Sequence, residues 1–340
     1  MIKSIIEKLI EKENLSFVES ISTMESIMEG KVNNSQLAAF LIALKAKGET
    51  AIEIAGFAKA MRNKSIKVET DTNDLIDVCG TGGDYSGTFN ISTAVAFVVA
   101  GAGIKVAKHG NRSISSNSGS ADVLVELGIN INLNAEQTKQ ALDKVGISFL
   151  FAPNFHPAMK YAATVRKELG IKTVFNLLGP LTNPAGTKKQ LIGVYNNKSS
   201  KLMSEAVKHL EMEKVCFVCT DNKMDEISLC DETDVNEFNV VADLNQYKIT
   251  NETFGYPKLK LNDIKGDSPK YNAELISDLF MNKKRTPAFF VVAANSAVAL
   301  YSAGYSNDFH ICRKAAEESI TSGSALQKLN ELKKFGEKFS

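Results

Sequence analysis

The chain of 340 residues lacks several features that would decide its class at once. No apolar run reaches the roughly 18 residues that a membrane-spanning helix needs, and the longest, residues 94–103, is rich in small side chains. The net charge is only +1, which argues against a nucleic-acid partner. The short apolar runs predict no membrane partner, and the five cysteines, odd in number and scattered, predict reduced thiols in a cytoplasmic protein.

Familiar cofactor signatures are also missing. The chain has no Gly-Lys-Ser or Gly-Lys-Thr of a P-loop, and the segment that begins at Gly80 lacks the third glycine of the dinucleotide fingerprint. Cys216 and Cys219 have the spacing of half a zinc site, but no second cysteine pair follows at zinc spacing. Both fall inside a predicted strand, so we interpret them as buried core thiols.

Helical patterns alone occupy residues 1–70, which we predict to form an α-helical N-terminal domain. Residues 1–8 indicate the start of an amphipathic helix rather than a signal peptide. Capping-box patterns at Ser16/Glu19 and Thr50/Glu53 mark two later helix starts. The segment 37–46 is apolar on more than one face, which is typical of a helix buried in a core or in a subunit contact. We expect a dimer through its apolar side chains Leu37, Phe40, Leu41 and Leu44.

Residues 71–340 predict an α/β domain. Strand-like runs alternate with helical stretches, which favours a largely parallel sheet. Shorter runs between residues 231 and 261 predict antiparallel pieces. The strand-like runs are residues 75–79, 104–107, 148–152, 191–195, 215–220 and 290–293. Ligands of such sheets gather at the carboxyl ends of the strands, so the loops that follow the strands are the candidate site.

The first of these loops is rich in glycine. The segment Gly80-Thr81-Gly82-Gly83-Asp84 can turn sharply and direct backbone N–H groups at one point, as phosphate sites require. Residues 88–93 then place hydroxyl groups at the start of a helix, where free N–H groups attract anions. A tight strand–helix turn without a ligand is the alternative interpretation.

The loop after the second strand reads Lys108-His109-Gly110-Asn111-Arg112-Ser113 and faces the same crevice. A third polar helix entry follows at residues 115–122. Solvated surface side chains are the alternative, but position at a strand end favours contact with a ligand.

Charged residues farther along the chain suggest two further contacts. Arg166 lies on an otherwise small and apolar helix face with Met159 and Ala162, and is a candidate carboxylate clamp; a surface salt bridge is the alternative. Asp225 and Glu226 follow a strand closely, where adjacent carboxylates can converge on Mg²⁺ beside a pyrophosphate; a plain acidic loop is the alternative.

Taken together and in order, these motifs resemble the anthranilate phosphoribosyltransferases over nearly the whole chain. The matching stretches are residues 80–84, 88–93, 108–112, 119–122, 156–160, 165–166, 175–184 and 225–226, together with 47–50 in the helical part. Two places depart from the family pattern. Tyr85 stands where a small residue is commoner and is expected to narrow the loop, and residues 222–224 lack a glycine before Asp225.

The resemblance implies a separate α-helical domain joined to an α/β domain with a mostly parallel sheet, as in nucleoside phosphorylases. It implies a homodimer, a cleft between the domains, and a segment near 160–185 that packs on the helical domain. Phosphoribosyl pyrophosphate (PRPP) would be bound by Gly80, Gly83, Asp84, Thr88, Asn90, Ile91, Ser92, Thr93, Lys108, His109, Gly110, Asn111, Arg112, Ser113, Ser116 and Ser120. Anthranilate would meet Gly80, His109, Asn111, Pro153 and Arg166. Ser92, Asp225 and Glu226 would organise Mg²⁺.

Other functions remain open at this stage. A pyrimidine nucleoside phosphorylase shares the fold, but Asn111, Arg166 and residues 179–184 fit the transferase better. A catalytically silent relative that binds nucleic acid would need a basic groove and no acidic pair. The net charge of +1 and the Asp225–Glu226 pair both speak against that function.

Overall fold

The N-terminal part is a bundle of helices whose starts follow the capping patterns. The computed structural model describes residues 2–70, 74–113 and 118–339. The bundle contains α1 (Ile2–Ile10), α2 (Phe17–Met28), α3 (Asn34–Lys47) and α4 (Ala51–Lys64). Reciprocal capping boxes join Ser16 to Glu19 and Thr50 to Glu53, as predicted. Asn33 and Gln36 form another at the start of α3.

Helix α3 shows that the reason given for the dimer was wrong. Leu37, Phe40, Leu41 and Leu44 are each no more than 1% exposed within the single chain. The helix has apolar residues on more than one face because α1 packs on one part of it and a later helix, α9 (Lys160–Leu169), packs on another. These four side chains therefore offer no surface to a second subunit.

Among the described residues, seven strands form one sheet in the order β3-β2-β1-β4-β5-β6-β7. The first five strands in the chain pair in parallel, and β6 and β7 pair antiparallel, as the sequence predicts. The strands are β1 (Leu75–Gly80), β2 (Lys105–Gly110), β3 (Ile147–Phe151), β4 (Lys189–Gly193), β5 (Lys214–Thr220), β6 (Thr233–Asn239) and β7 (Asp243–Ile249).

The predicted strand at residues 290–293 is wrong, because these residues lie inside a helix. Helix α13 (Pro287–Ala303) begins at Pro287 behind the N-cap Thr286, whose side chain accepts from the backbone of Phe289. It packs against the sheet and contacts both α5 (Ile91–Gly101) and α14 (Phe309–Ser322), so it is apolar on all sides and lacks the polar face that reveals a helix. A short apolar run fits a buried strand equally well.

Further helices connect and cover the strands. They are α6 (Ser120–Glu126), α7 (Ala135–Lys144), α8 (Ala152–Phe155), α10 (Phe175–Leu178), α11 (Asn197–Ala206), α12 (Pro269–Asn282), α14 (Phe309–Ser322) and α15 (Ser324–Gly336). Within the described ranges, no single helix is long and apolar enough to cross a membrane; α12 and α13 reach that length and composition only together, bent by 85°.

The order of the strands places a crevice beside β1. The chain moves outward from β1 through β2 to β3, and then returns to the other side of β1 with β4 and β5. Ligands of open α/β sheets bind at such a reversal, outside the carboxyl ends of the strands. Helices α9 and α10 pack on the bundle, since α9 contacts α2 and α3 while α10 contacts α4. The loops after β1, β2 and β5 meet at this crevice.

Candidate active site

The glycine-rich loop after β1 requires glycine on steric grounds. A side chain at Gly80 would place its Cβ only 2.7 Å from Oδ2 of Asp225. Gly82 and Gly83 have positive φ angles of 63° and 71°, where glycine is least strained. The N–H of Gly82 donates to Oδ2 of Asp225 at 2.8 Å. Tyr85 also has a positive φ, 57°, and its side chain is 74% exposed at the tip of the loop.

The first turn of α5 receives its side-chain acceptor from another loop rather than from its own N-cap residue. Asn90 occupies the N-cap position but makes no capping hydrogen bond. Its side chain instead exchanges hydrogen bonds with Ser118, and Nδ2 of Asn272 donates to its Oδ1 at 2.9 Å. Ile91 and Thr93, which the sequence analysis predicts as site residues, are buried in the first turn, and Thr88 precedes it. A helix start of this kind is suited to an anion.

Asp225 and Glu226, in the turn after β5, bring negative charge to the same helix start. Oε1 of Glu226 accepts from the N–H of Ser92 at 3.3 Å, and the N–H of Asp225 donates to Oδ2 of Asp84 at 3.4 Å. Burial, and then the neighbouring charge of Asp84, raises the pKa of Asp225 above its ordinary value. Burial, and then Asp225, raises the pKa of Glu226 as well. The nearby charge of Lys108 lowers the pKa of Glu226, but burial and the neighbouring carboxylates outweigh it.

The donor set suits a hard divalent cation that shares its coordination with a ligand. Carboxylate and hydroxyl oxygens are what Mg²⁺ prefers, and it commonly takes one or two carboxylates, waters and phosphate oxygens. Within the part of the chain that the structure describes, no three His, Cys, Asp or Glu side chains converge to hold an ion by themselves. Asp225 and Glu226, with the Ser92 hydroxyl beside them, therefore fit a metal completed by a bound phosphate.

Lys108 forms the floor beneath this helix start. The side chain is 3% exposed, and its Nζ donates to the carbonyl of Val78 at 2.6 Å and to Oγ of Ser92 at 3.3 Å. Burial lowers the pKa of Lys108, while Asp77, Cys79 and Glu226 act in the opposite direction. The lysine thus links β1, β2 and the start of α5.

The loop after β2 is organised by a residue that was not assigned from the sequence. Asp122 accepts from Nη1 of Arg112 at 2.7 Å and from the N–H groups of Ser113 and Gly119. The guanidinium of Arg112 is therefore paired with a carboxylate of the same loop. Asn111 is exposed, and its backbone carbonyl accepts from Oγ of Ser120 at 3.3 Å. Ser116 lies outside the described residues.

Two buried histidines lie in contact at the end of β2. The rings of His109 and His156 have centroids 5.2 Å apart, and both residues are 6% exposed. Burial lowers the pKa of His109 to about 3 and that of His156 to about 4, so both rings are neutral near pH 7. The backbone of His109 donates to Oδ1 of the fully buried Asp77 at 3.0 Å, and Asn183 donates to its Oδ2.

Neither His156 nor Asp77 was assigned a role from the sequence. A signal for Asp77 was present, because a carboxylate inside an otherwise apolar strand needs partners. Gly110, like His109, is paired with β3, which fixes the position of the following loop.

Arg166 stands apart from the contacts described so far. It lies half-buried on α9, with its guanidinium carbon 5.1 Å from the centre of the Phe175 ring. Burial lowers the pKa of Arg166. Among the described residues no hydrogen bond or salt bridge occupies the guanidinium, so the surface ion pair considered as an alternative is not formed. Pro153 is exposed at the start of α8. In the part of the chain that the structure describes, no hydrogen bond or salt bridge joins Arg166 or Pro153 to the glycine loop.

The interpretation of the two spaced cysteines as core thiols is confirmed. Cys216 and Cys219 are both 0% exposed on β5. Burial raises the pKa of each thiol to about 12, which is opposite to what a metal ligand needs. None of the five cysteines, all of which lie in described segments, forms a disulfide.

Comparison with known proteins gives the same picture over the full chain. Residues 3–65 match the helical bundle domain of a glycosyl transferase family, and residues 72–326 match its a/b domain. The chain is 45% identical to the anthranilate phosphoribosyltransferase of Acetivibrio thermocellus, a match that covers 100% of this chain and 98% of that protein.

Solved structures agree with the sequence relatives. The anthranilate phosphoribosyltransferase of Thermus thermophilus superposes with a TM-score of 0.92 at 37% identity, covering 98% of this chain and 99% of that one. The Saccharomyces cerevisiae enzyme in complex with PRPP and Mg has a TM-score of 0.91 at 28% identity, covering 99% of this chain and 98% of that one. The fold predicted from the sequence is thereby confirmed. This chain belongs to the anthranilate phosphoribosyltransferase family.

Proposed function

We propose that this chain transfers the phosphoribosyl group of PRPP to the amine of anthranilate, giving N-(5-phosphoribosyl)anthranilate and pyrophosphate in tryptophan biosynthesis. The observation that carries the proposal lies at the start of α5, where the N-cap side chain makes no capping hydrogen bond and Glu226 accepts from the N–H of Ser92, beside Asp225, which accepts from that of Gly82. Anionic phosphates and carboxylates need a shared cation there, and the glycine loop supplies backbone donors around it. PRPP has the required charge, and the related yeast enzyme binds it together with Mg.

The PRPP site draws on three segments. Gly80, Gly83 and Asp84 supply the loop after β1, where the absence of Cβ atoms lets a phosphate approach the backbone. The start of α5 contributes Thr88, Asn90, Ile91, Ser92 and Thr93. The remaining PRPP residues are Lys108, His109, Gly110, Asn111, Arg112, Ser113, Ser116 and Ser120, on and after β2.

Mg²⁺ is the cofactor that fits the acidic turn, held by Ser92, Asp225 and Glu226. When bound, it offsets the negative charge that grows on the departing pyrophosphate. The protein holds both carboxylates in place with backbone donors, so little reorganisation is needed when the ion arrives. The raised pKa of both carboxyls fits a site that is completed by a cation.

The chemistry asks little of proton-transferring side chains. An aromatic amine has a free lone pair at neutral pH and attacks the anomeric carbon of the ribose while pyrophosphate leaves. Holding the two substrates in line is therefore the main task of the protein, with charge stabilisation beside it. His109 and His156 remain neutral near pH 7. Neutral rings are suited to lining the path by which anthranilate enters, and less suited to acting as general acids.

We assign the anthranilate end of the cleft to Gly80, His109, Asn111, Pro153 and Arg166. The guanidinium of Arg166 has no partner among the described residues and is held near the ring of Phe175. A planar guanidinium can bind a carboxylate through two parallel hydrogen bonds. The anthranilate carboxylate is the group it would receive.

The direct test is depletion of anthranilate fluorescence by the purified chain with PRPP and Mg²⁺. The control reaction uses uridine or thymidine with phosphate and reports pyrimidine nucleoside phosphorylase activity. We expect depletion in the first reaction and no release of free base in the second. Base release without anthranilate consumption would overturn the assignment in favour of the phosphorylase.

The assembly and location of the enzyme are part of the same proposal. The helical bundle exposes Ile10, Val18 and Ile42 by 67%, 70% and 42%, and these aliphatic side chains replace the buried residues of α3 as support for a homodimer. All five cysteines are buried thiols, which suits the reducing cytoplasm.

A further inference from the structure

Lys172, in the segment between α9 and α10, makes contacts to three parts of the cleft. Its Nζ donates to the carbonyl of Gly83 at 2.6 Å. The same ammonium lies 3.8 Å from the centre of the Tyr195 ring and 5.3 Å from that of Tyr85. Its own carbonyl accepts from Nζ of Lys45 on α3 at 2.5 Å. One residue therefore connects the glycine loop, the turn after β4 and the helical bundle.

The surroundings of Lys172 hold the ammonium in one place. Tyr195 is itself attached to the loop, because its N–H donates to Oγ1 of Thr81 at 3.2 Å. An aromatic face at this distance attracts a cation, and a partly desolvated one more strongly. Asp84 and Asp225 provide negative charge nearby. These contacts hold the ammonium of Lys172 in place even without the hydrogen bond to Gly83.

The hydrogen bond from Lys172 fixes more than the carbonyl that accepts it. The peptide that joins Gly83 to Asp84 is planar and trans, so its N–H points opposite to its C=O. When the Gly83 carbonyl is directed toward Lys172, the N–H of Asp84 is directed away from it. Left-handed glycines in a tight turn rotate easily, and Gly82 and Gly83 both have positive φ. An external contact is what selects one orientation of this peptide.

We propose that Lys172 is a positioning residue for the PRPP site, which holds the Gly83–Asp84 peptide with its N–H turned toward the phosphates of the substrate. The inference rests on the proposed function for its ligand, but the contact itself involves only this chain. The hydrogen bond from Lys45 to the carbonyl of Lys172 connects this residue to α3, so the helical bundle also supports the glycine loop. The aromatic ring of Tyr195 serves as the support against which the ammonium rests.

The test compares Lys172→Met, which keeps the aliphatic stem, with Lys172→Arg, which restores the charge. Lys160→Met is the matched control, because Lys160 also lies over a tyrosine, 5.0 Å from the ring of Tyr161, but on an exposed part of α9. Steady-state kinetics are measured for both substrates. Hydrogen–deuterium exchange of residues 81–87 is followed in the ligand-free protein, where no activity is needed.

We expect Lys172→Met to raise the KM for PRPP about tenfold or more, as loss of a charged hydrogen bond implies. The KM for anthranilate and kcat should change less than about twofold, residues 81–87 should exchange faster, and Lys172→Arg should recover most of both effects. Tyr195→Leu should shift the same quantities in the same direction. It provides the second line of evidence should Lys172→Met fold poorly.

Unchanged exchange in residues 81–87 together with a wild-type KM for PRPP would overturn the inference. So would an equal loss in every kinetic constant that Lys172→Arg does not reverse, which would indicate a general structural role. An inactive wild-type chain would instead contradict the proposed function, and the exchange data alone would then decide whether Lys172 orders the loop.

Discussion

The side-chain amide of Asn272 on α12 donates a hydrogen bond to Oδ1 of Asn90 at 2.9 Å, although the two residues are 182 positions apart. Ser118 donates to the same oxygen at 3.0 Å. With two donors on its oxygen, the Asn90 amide has one favoured orientation. Asn272 is 1% exposed and lies on α12, so a helix far along the chain orients Asn90 in the proposed PRPP site.

Replacing Asn272 should therefore weaken the binding of PRPP without affecting that of anthranilate. Asn272→Ala removes one of the two donors, and we expect the KM for PRPP to rise roughly fivefold to tenfold, as one hydrogen bond of about 1 kcal/mol implies. The anthranilate KM should change little. Asn251→Ala, which removes a side-chain hydrogen bond to the carbonyl of Tyr256 in a loop before α12, is the control and should leave both constants unchanged. Equal effects of the two substitutions would contradict the prediction.

The buried histidines should make stability depend on pH below neutrality. The pKa of His156 is lowered to about 4, below its ordinary value of 6.5. As pH falls from 6.5, the unfolded chain gains a proton that the folded chain does not, so the free energy of unfolding declines until about pH 4. One group contributes at most about 1.4 kcal/mol per pH unit. Below pH 4 the folded chain is protonated too, and this contribution levels off.

Urea denaturation at pH 7, 5.5 and 4.5 measures this contribution. His156→Asn should show a smaller decline in the free energy of unfolding between pH 6.5 and 4 than the wild type, whatever its stability at pH 7. His310→Asn changes an exposed ring and should leave the decline as it is. A wild-type slope in the His156 variant would show that the ring is protonated in the folded state as readily as in the unfolded one.

The acidic pair should bind metal rather than stabilise the fold. We expect Asp225→Asn combined with Glu226→Gln to lose more than tenfold in activity at limiting Mg²⁺, because a charged contact is worth roughly 1.5–3 kcal/mol. The pKa of both carboxyls is raised, so above their ordinary pKa the charges cost stability, and neutral amides should leave the metal-free protein no less stable at neutral pH. Asp221→Asn changes an exposed carboxylate of the same turn and is the control. Full activity of the double variant at micromolar Mg²⁺ would refute the metal assignment.

Light scattering tests the proposed homodimer. We expect a mass near twice that of one chain at micromolar concentration. Ile42→Glu, at an exposed position of α3, should lower that mass, whereas Glu252→Lys on the α/β domain should not. A wild-type protein that is monomeric at micromolar concentration would contradict the proposal.

Local signals in the sequence predicted the architecture well. Capping boxes such as Ser16/Glu19 located helix starts, and the parallel core of the sheet followed from alternating strands and helices. The strand wrongly predicted at residues 290–293 lies where the local sequence pattern does not distinguish a helix from a strand. A helix surrounded by protein has no polar face, so its period disappears and only its N-cap, Thr286, distinguishes it from a strand.

The glycine-rich turn of the candidate site was predictable, because backbone geometry itself requires its residues. Gly80 and Gly82 are needed by the turn itself, and so they stand out in the sequence. Lys172 and Asn272 do not, because each acts through a partner more than 80 positions away that only the folded chain identifies. The same reason explains the mistaken use of Leu37 and its neighbours for the dimer, since the helices that cover α3 include one from far along the chain.

The central claim is that the cleft has two ends, with PRPP at the glycine loop and anthranilate at Arg166, and Arg166→Ala tests it most directly. Loss of a charged, hydrogen-bonded pair costs roughly 2–4 kcal/mol, so the KM for anthranilate should rise about thirtyfold to several-hundredfold. Arg166→Lys should restore little of the anthranilate affinity, because an ammonium cannot form the two parallel hydrogen bonds that a guanidinium forms. Lys167→Ala, at the exposed neighbour on α9, should behave as wild type.

The decisive measurement is calorimetric binding of PRPP with Mg²⁺ to Arg166→Ala, set beside the anthranilate KM of the same protein. We predict PRPP affinity close to wild type together with the large rise in anthranilate KM. If the variant loses PRPP binding and keeps its anthranilate KM, Arg166 is a phosphate residue, and the assignment of the two ends of the cleft is wrong.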